Sequence, residues 1–224
     1  RVDHDDRIAL LGPNGNGKST FAKLISGRLA PLGGSIVRAA GLDIAYLAQH
    51  QLDELVANET VYDHVRRLMP EAPEAKVRSR AAEMGFSGAT ANTIIAALSG
   101  GEKARLLLGL AAFHGPHLLI LDEPTNHLDI AARQALIEAI NDFPGAVILI
   151  SHDRTLLDAS AERLWLVAEG TVRPYDGDLD EYQRLVVGRT ASASRKEASG
   201  SRADERRQAA DRRSETAPLR KRIK

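Results

Sequence analysis

Nine residues, Gly12-Pro-Asn-Gly-Asn-Gly-Lys-Ser-Thr20, lie between an apolar run, Arg7 to Leu11, and a helical pattern of Phe21, Leu24, Ile25 and Leu29. Three glycines within six positions permit a backbone curl that side chains resist. The N–H groups of such a curl converge at the positive end of the helix that follows it, a setting for an anion rich in oxygens such as a chain of phosphates. In this P-loop pattern Lys18 reaches the β- and γ-phosphates, Ser19 coordinates Mg²⁺ and Thr20 holds a phosphate oxygen. The loop needs a strand before it and a helix after it, and the flanking patterns supply both. The chain is therefore expected to be α/β.

A second stretch supplies the complementary chemistry. His117-Leu-Leu-Ile-Leu-Asp-Glu-Pro-Thr-Asn-His-Leu-Asp129 opens with a short apolar run, Leu118 to Leu121, that reads as a buried strand and ends in two acids, Asp122 and Glu123. A buried strand in an open α/β sheet carries the residues at its carboxyl end to where ligands sit. Two adjacent carboxylates there can divide the work, one holding Mg²⁺ through its waters and the other orienting an attacking water. Pro124 stops the strand, and Thr125 to Asp129 turn the chain toward another helix.

Three more stretches have a reading tied to phosphate chemistry, though each has an ordinary reading when taken alone. Gln49 ends the strand Tyr46-Leu-Ala-Gln49 and can ligate Mg²⁺ and sense a γ-phosphate, or be a surface glutamine. Leu98-Ser-Gly-Gly-Glu102 precedes a strong helix from Lys103 to Phe113. Ser99 can cap that helix and the glycines let backbone N–H groups approach an anion, or the segment is a plain helix start. His152 follows the strand Ala146 to Ile150, where it can polarise a water or serve a structural end.

Strand patterns at 7–11, 35–39, 44–48, 118–121, 146–150 and 164–167 alternate with helical ones, and residues 59 to 114 read as helices with breaks at Pro70, Pro73, Gly85 and Gly88. The expected architecture is a mostly parallel sheet core carrying a helical subdomain at about 59–115. A final strand and helix, roughly Val172 to Val187, complete a domain spanning 1–188. Residues 189–224 hold 12 basic and 5 acidic residues, a net charge of +7, inside a chain of 30 basic and 30 acidic residues overall. That tail reads as a linker followed by charged helix, either solvated or in contact with RNA phosphates. The chain lacks cysteine, which removes disulfides and thiolate metal sites and suits a reducing cytosol. No apolar run approaches the roughly 18–20 residues that span a bilayer.

In this order the motifs resemble the nucleotide-binding domain of ATP-binding-cassette (ABC) proteins: Walker A at 12–19, Q-loop at Gln49, signature at 98–102, Walker B at 118–123, D-loop at 126–129 and switch histidine at 152. Leu121-Asp-Glu-Pro-Thr-Asn-His-Leu-Asp129 and Leu98-Ser-Gly-Gly-Glu-Lys-Ala-Arg105 are similar to the ABC-F branch, whose members join two cassettes in one chain and lack a membrane domain. The resemblance implies that Gly12, Pro13, Asn14, Gly15, Asn16, Gly17, Lys18, Ser19 and Thr20 hold ATP. Gln49, Ser99, Gly100, Gly101, Glu102 and Asp129 complete such sites, and Ser19, Gln49 and Asp122 serve Mg²⁺. Catalysis falls to Glu123 as general base, with His152 and Lys18.

It further implies that two cassettes sandwich ATP, each P-loop capped by the other's signature, and that the protein acts in the cytoplasm on the ribosome and translation. The signature with Glu102 and the basic extension are similar to the second cassette of that family. Residues 1 to 11 contain no Phe, Tyr or Trp to stack on adenine, and the chain begins at Arg1 without a methionine. It reads as the C-terminal cassette of a longer protein. Two other functions share the motifs: an ATPase subunit of an ABC transporter, and a nucleic-acid-binding scaffold with a vestigial ATP site.

Overall fold

The computed structural model describes residues 1–48, 55–126 and 128–186. The chain divides into two compact units, residues 1–176 and 177–224. In the second, residues 179–186 are helical, and Asp178 starts the helix by accepting the Glu181 N–H on Oδ1 at 2.7 Å. Gln49 and the tail from 187 onward fall outside the described residues.

The first unit is built on a six-stranded sheet, ordered β2-β3-β4-β1-β5-β6. Its strands are β1 (Arg7–Leu11), β2 (Ile44–Leu47), β3 (Leu118–Asp122), β4 (Ala146–Ile150), β5 (Arg163–Ala168) and β6 (Thr171–Tyr175). Every neighbouring pair is parallel except β5 with β6. Strands β3 and β4 are buried at all five positions, which an apolar run achieves only when both faces of its sheet are covered. Because β4 lies between β1 and β3, the carboxyl ends of the three strands are adjacent. Ligands bind at such ends in open parallel sheets.

Among its described residues are six α-helices: α1 (Lys18–Ser26), α2 (Val61–Leu68), α3 (Glu74–Glu83), α4 (Gly100–Ala111), α5 (Ile130–Asn141) and α6 (Arg154–Ser160). Helices α2, α3 and α4 fall within residues 61–111, as the periodicity there predicts. Helix α2 begins in a reciprocal cap, with Thr60 Oγ1 accepting from Asp63 N and Asp63 Oδ2 accepting from Thr60 N. Val61, Val65, Val77, Ala81, Phe86 and Leu106 pack into a cluster of their own, separate from the sheet core of Ile8, Leu10, Ile120, Ile148 and Ile150. Leu106 is fully buried there, so Leu106→Ala is expected to lose about 2–5 kcal/mol of stability. Hydrogen exchange should rise first across residues 61–113. Uniform loss of protection over β1, β3 and β4 would show that the helical cluster is not a separate cooperative unit.

Two expectations about local structure fail, each for a definable reason. The helical pattern reaching Leu29 stops at Ser26, because Gly27 adopts φ 78° and returns its N–H to the Leu24 carbonyl. Residues 35–39 form no strand, and Val37 is 94 % exposed. An apolar segment becomes a strand only where a neighbour completes its hydrogen bonds, and among the described residues none lies beside it.

Candidate active site

The turn after β1 is shaped by its glycines. Gly12 has φ 151°, and a Cβ there would stand 2.5 Å from the Val167 carbonyl oxygen of β5. Only glycine lets the chain leave β1 so close to its neighbour. Gly17 adopts φ 91° and starts α1 with no capping side chain and no acidic residue in the first turn, so the positive end of the helix is left to the cleft. Lys18 is 7 % exposed and its Nζ donates to the carbonyls of Gly12 at 2.6 Å and Pro13 at 3.2 Å. Burial lowers its pKa, while Glu123 and Asp122 oppose the shift.

The two acids lie across from this turn. Asp122 closes β3; Ser19 Oγ donates to its Oδ1 at 3.2 Å and Tyr46 Oη to its Oδ2 at 2.8 Å. Burial and the bond to Asp122 push the Tyr46 phenol well above its ordinary range, which keeps it a neutral donor. Glu123 adopts φ 53°, a left-handed conformation that non-glycine residues seldom take, and its N–H is held by the Ile150 carbonyl at 2.7 Å. Burial raises the Glu123 pKa and the neighbouring charge of Asp122 adds to it, while His152 and Lys18 pull it down. His152 Nε2 stands 3.5 Å from Glu123 Oε1 and 2.7 Å from Asn14 Oδ1. The amide oxygen only accepts, so in this contact Nε2 is the donor.

These groups line one cleft of about 530 Å³, bounded by Asn14, Gly15, Gly17, Lys18, Ser19, Thr20, Asp122, Glu123, Asn126, Ile150 and His152. A cation, the open start of a helix and two carboxylates thus face the same volume, which suits a phosphate chain accompanied by a divalent ion. Ser19 Oγ and Asp122 Oδ1 are hard oxygen donors of the kind that Mg²⁺ takes while keeping waters and ligand phosphates. Among the described residues no cluster of three or more His, Cys, Asp or Glu forms a metal cage.

Ser99, Gly100, Gly101, Glu102 and Asp129 do not line this cleft. Ser99 caps α4, and the Glu102 carboxylate accepts both the N–H and the hydroxyl of Ser99 at 2.8 Å, which holds its pKa below the usual carboxylate range. Asp129 caps α5 through the Ala132 N–H at 2.7 Å. A Cβ added at Gly100 would stand 3.3 Å from Ala132 Cβ, and one at Gly101 would stand 3.4 Å from Ala135 Cβ. The glycines therefore let the starts of α4 and α5 approach closely, and the capping residues form a second polar group away from Lys18.

Asn126, the first residue of the D-loop, enters the cleft, though no role is read for it from sequence. One contributor escapes sequence reasoning: Tyr46 reaches Asp122 from β2. A polar aromatic three residues before Gln49 is visible in the sequence. Its partner is set by register, however, since Tyr46 pairs with Ile120 and so sits diagonally from Asp122 on one face of the sheet.

Comparison with known proteins matches the family profile described as ABC transporter to residues 1–126. The chain is 45 % identical over 221 residues to "Probable ATP-binding protein YheS" of Escherichia coli strain K12, covering 95 % of the chain and 35 % of that protein. It is 45 % identical over 190 residues to the protein of the same name from Haemophilus influenzae, covering 85 % and 30 %. To "ABC transporter F family member 3" of Arabidopsis thaliana it is 41 % identical over 189 residues, covering 84 % and 26 %. The chain spans about a third of the length of these curated relatives.

Proposed function

The chain belongs to the ABC transporter family of ATP-binding domains, and we propose that it works as an F-type cassette: it binds ATP with Mg²⁺ in the Lys18 cleft, hydrolyses it to ADP and phosphate when a second cassette caps the nucleotide, and acts on the ribosome in the cytoplasm. The observation that carries this reading is the convergence of Lys18, Ser19, Asp122, Glu123 and His152 on one cleft, while Ser99 to Glu102 stay outside it. Groups fit for an anion but remote from the P-loop are useful only to a phosphate presented from elsewhere. The ribosomal target rests on the likeness of the 98–105 and 121–129 motifs to the F branch, not on any contact within the chain.

In this mechanism Lys18 exchanges its two backbone carbonyls for β- and γ-phosphate oxygens. Ser19 and Asp122 would hold Mg²⁺, which would supply positive charge to offset that of the phosphates. Glu123 accepts the proton of the attacking water, and the burial that raises its pKa makes it a stronger base than an exposed carboxylate. His152, tied to Asn14, stands beside Glu123 to orient that water and meet the developing charge. Gln49 and Asp129 are assigned the supporting roles their motifs imply.

The test compares ATP turnover by this chain with turnover by a protein carrying both cassettes. Capping donors act as an oxyanion hole does, so the paired protein is expected to be faster by about 100-fold. Equal rates would remove the second cassette from the chemistry. The paired protein should also cosediment with ribosomes in the presence of a non-hydrolysable ATP analogue; sedimentation with membranes through an integral partner would instead identify a transporter subunit. Among the described residues no helix is long and apolar enough to cross a membrane.

A further inference from the structure

Both carboxylate oxygens of Asp122 are engaged, by donors of different origin. Ser19, at the start of α1, lines the cleft and serves Oδ1. Tyr46, on β2, lies outside the cleft lining and serves Oδ2. Tyr46 is itself buried and braced from the other side. The Arg28 guanidinium stands 4.7 Å over its ring centre, and Arg28 Nη2 donates to the Tyr46 carbonyl at 3.2 Å. Strand register completes the bracing, since Tyr46 pairs with Ile120 two residues before Asp122.

The terminal torsion of a free aspartate is broad, so its two oxygens exchange places easily. Mg²⁺ demands near-ideal octahedral geometry and is best served by one oxygen in a fixed direction. A buried phenol bonded to one oxygen restricts that freedom. Resting on the reading of Ser19 and Asp122 as the metal-bearing pair, we propose that Tyr46 is a positioning residue for Mg²⁺: it occupies Oδ2 of Asp122 and thereby directs Oδ1, the oxygen shared with Ser19, into the cleft. Tyr46 touches neither nucleotide nor metal. It acts through Asp122, as outer hydrogen-bond partners of metal ligands do, and loss of such partners typically costs about 10–100-fold in metal affinity.

Tyr46→Phe isolates the effect, because it keeps the ring, its packing and the Arg28 face and removes only the hydroxyl. The probe is Mn²⁺ in place of Mg²⁺, with free Mn²⁺ followed by electron paramagnetic resonance in the presence of a non-hydrolysable ATP analogue. Mn²⁺ affinity is expected to fall about 10-fold. Affinity for the analogue in EDTA should be unchanged. On an Asp122→Asn background the same substitution should cause no further loss. Mn²⁺ affinity equal to that of the unsubstituted chain, or equal losses of nucleotide affinity with and without metal, would make Tyr46 mere packing and overturn the proposal. If the unsubstituted chain binds the analogue yet takes up no Mn²⁺, the metal-bearing pair itself is wrong, an outcome separate from any effect of Tyr46.

Discussion

Glu123→Gln is expected to slow ATP hydrolysis by about 10²–10⁴-fold while leaving nucleotide affinity intact. Glutamine keeps the length and hydrogen-bonding reach of glutamate but cannot take a proton from water. The contacts of Lys18, Ser19 and Asp122 do not involve the Glu123 carboxylate and persist. In the two-cassette protein the nucleotide-bound closed state should then accumulate, because the step that reopens it is blocked. Single-turnover hydrolysis and nucleotide titration check the two halves of this statement, and turnover at the normal rate would remove Glu123 from the role of base.

The same substitution has a stability signature with a definite sign. Burial raises the folded-state pKa of Glu123 above its unfolded value. Between those two values the folded chain binds more protons than the unfolded one, so stability falls as pH rises through that window. Above that window the native chain bears the whole of that cost and the Gln variant bears none. The variant should therefore melt at a higher temperature above the window, with the gap closing on acidification through it. A variant that melts lower there would contradict burial as the cause of the shift. Activity carries the complementary mark, declining as acid protonates Glu123 at a pH above the ordinary carboxylate range.

Lys18→Ala should abolish function by a different route, weakening nucleotide binding by about 10²–10³-fold. The ammonium is buried between the Gly12 and Pro13 carbonyls and faces two carboxylates. Its removal takes away the cation that phosphate oxygens would meet and leaves Asp122 and Glu123 facing that ligand with their charge uncompensated. Lys18→Arg should not rescue it, because a planar guanidinium does not fit where a compact ammonium is held between adjacent carbonyls. Titration with a fluorescent ATP analogue decides the matter. The trapped Glu123→Gln protein should cosediment with ribosomes and the Lys18→Ala protein should not. Unchanged nucleotide affinity in Lys18→Ala would place the phosphates elsewhere.

Much of this molecule could be read from residues close together in the chain. Strands β1 and β4 fall where their apolar runs do, and β3 differs by one residue, because segments buried on both faces leave a strong local mark. The P-loop was legible because its demands are local too: glycines at left-handed positions and a lysine at the first helical residue. The pairing of Asp122 and Glu123 at a strand end was visible for the same reason. Residues 35–39 and Tyr46 were misread or missed on the opposite ground. Whether an apolar segment becomes a strand depends on a neighbour that its own residues do not encode, and what Tyr46 bonds to depends on the register of β2 against a strand more than seventy residues away. The separation of Ser99 to Glu102 from Lys18 was expected from the sequence, since the family resemblance has each signature cap the other cassette's P-loop. What local sequence did not encode is the packing that seats the segment, with Gly100 against Ala132 and Gly101 against Ala135 outside the Lys18 cleft. Propensity and motif chemistry act over a few residues, whereas which groups share a volume is decided by long-range packing.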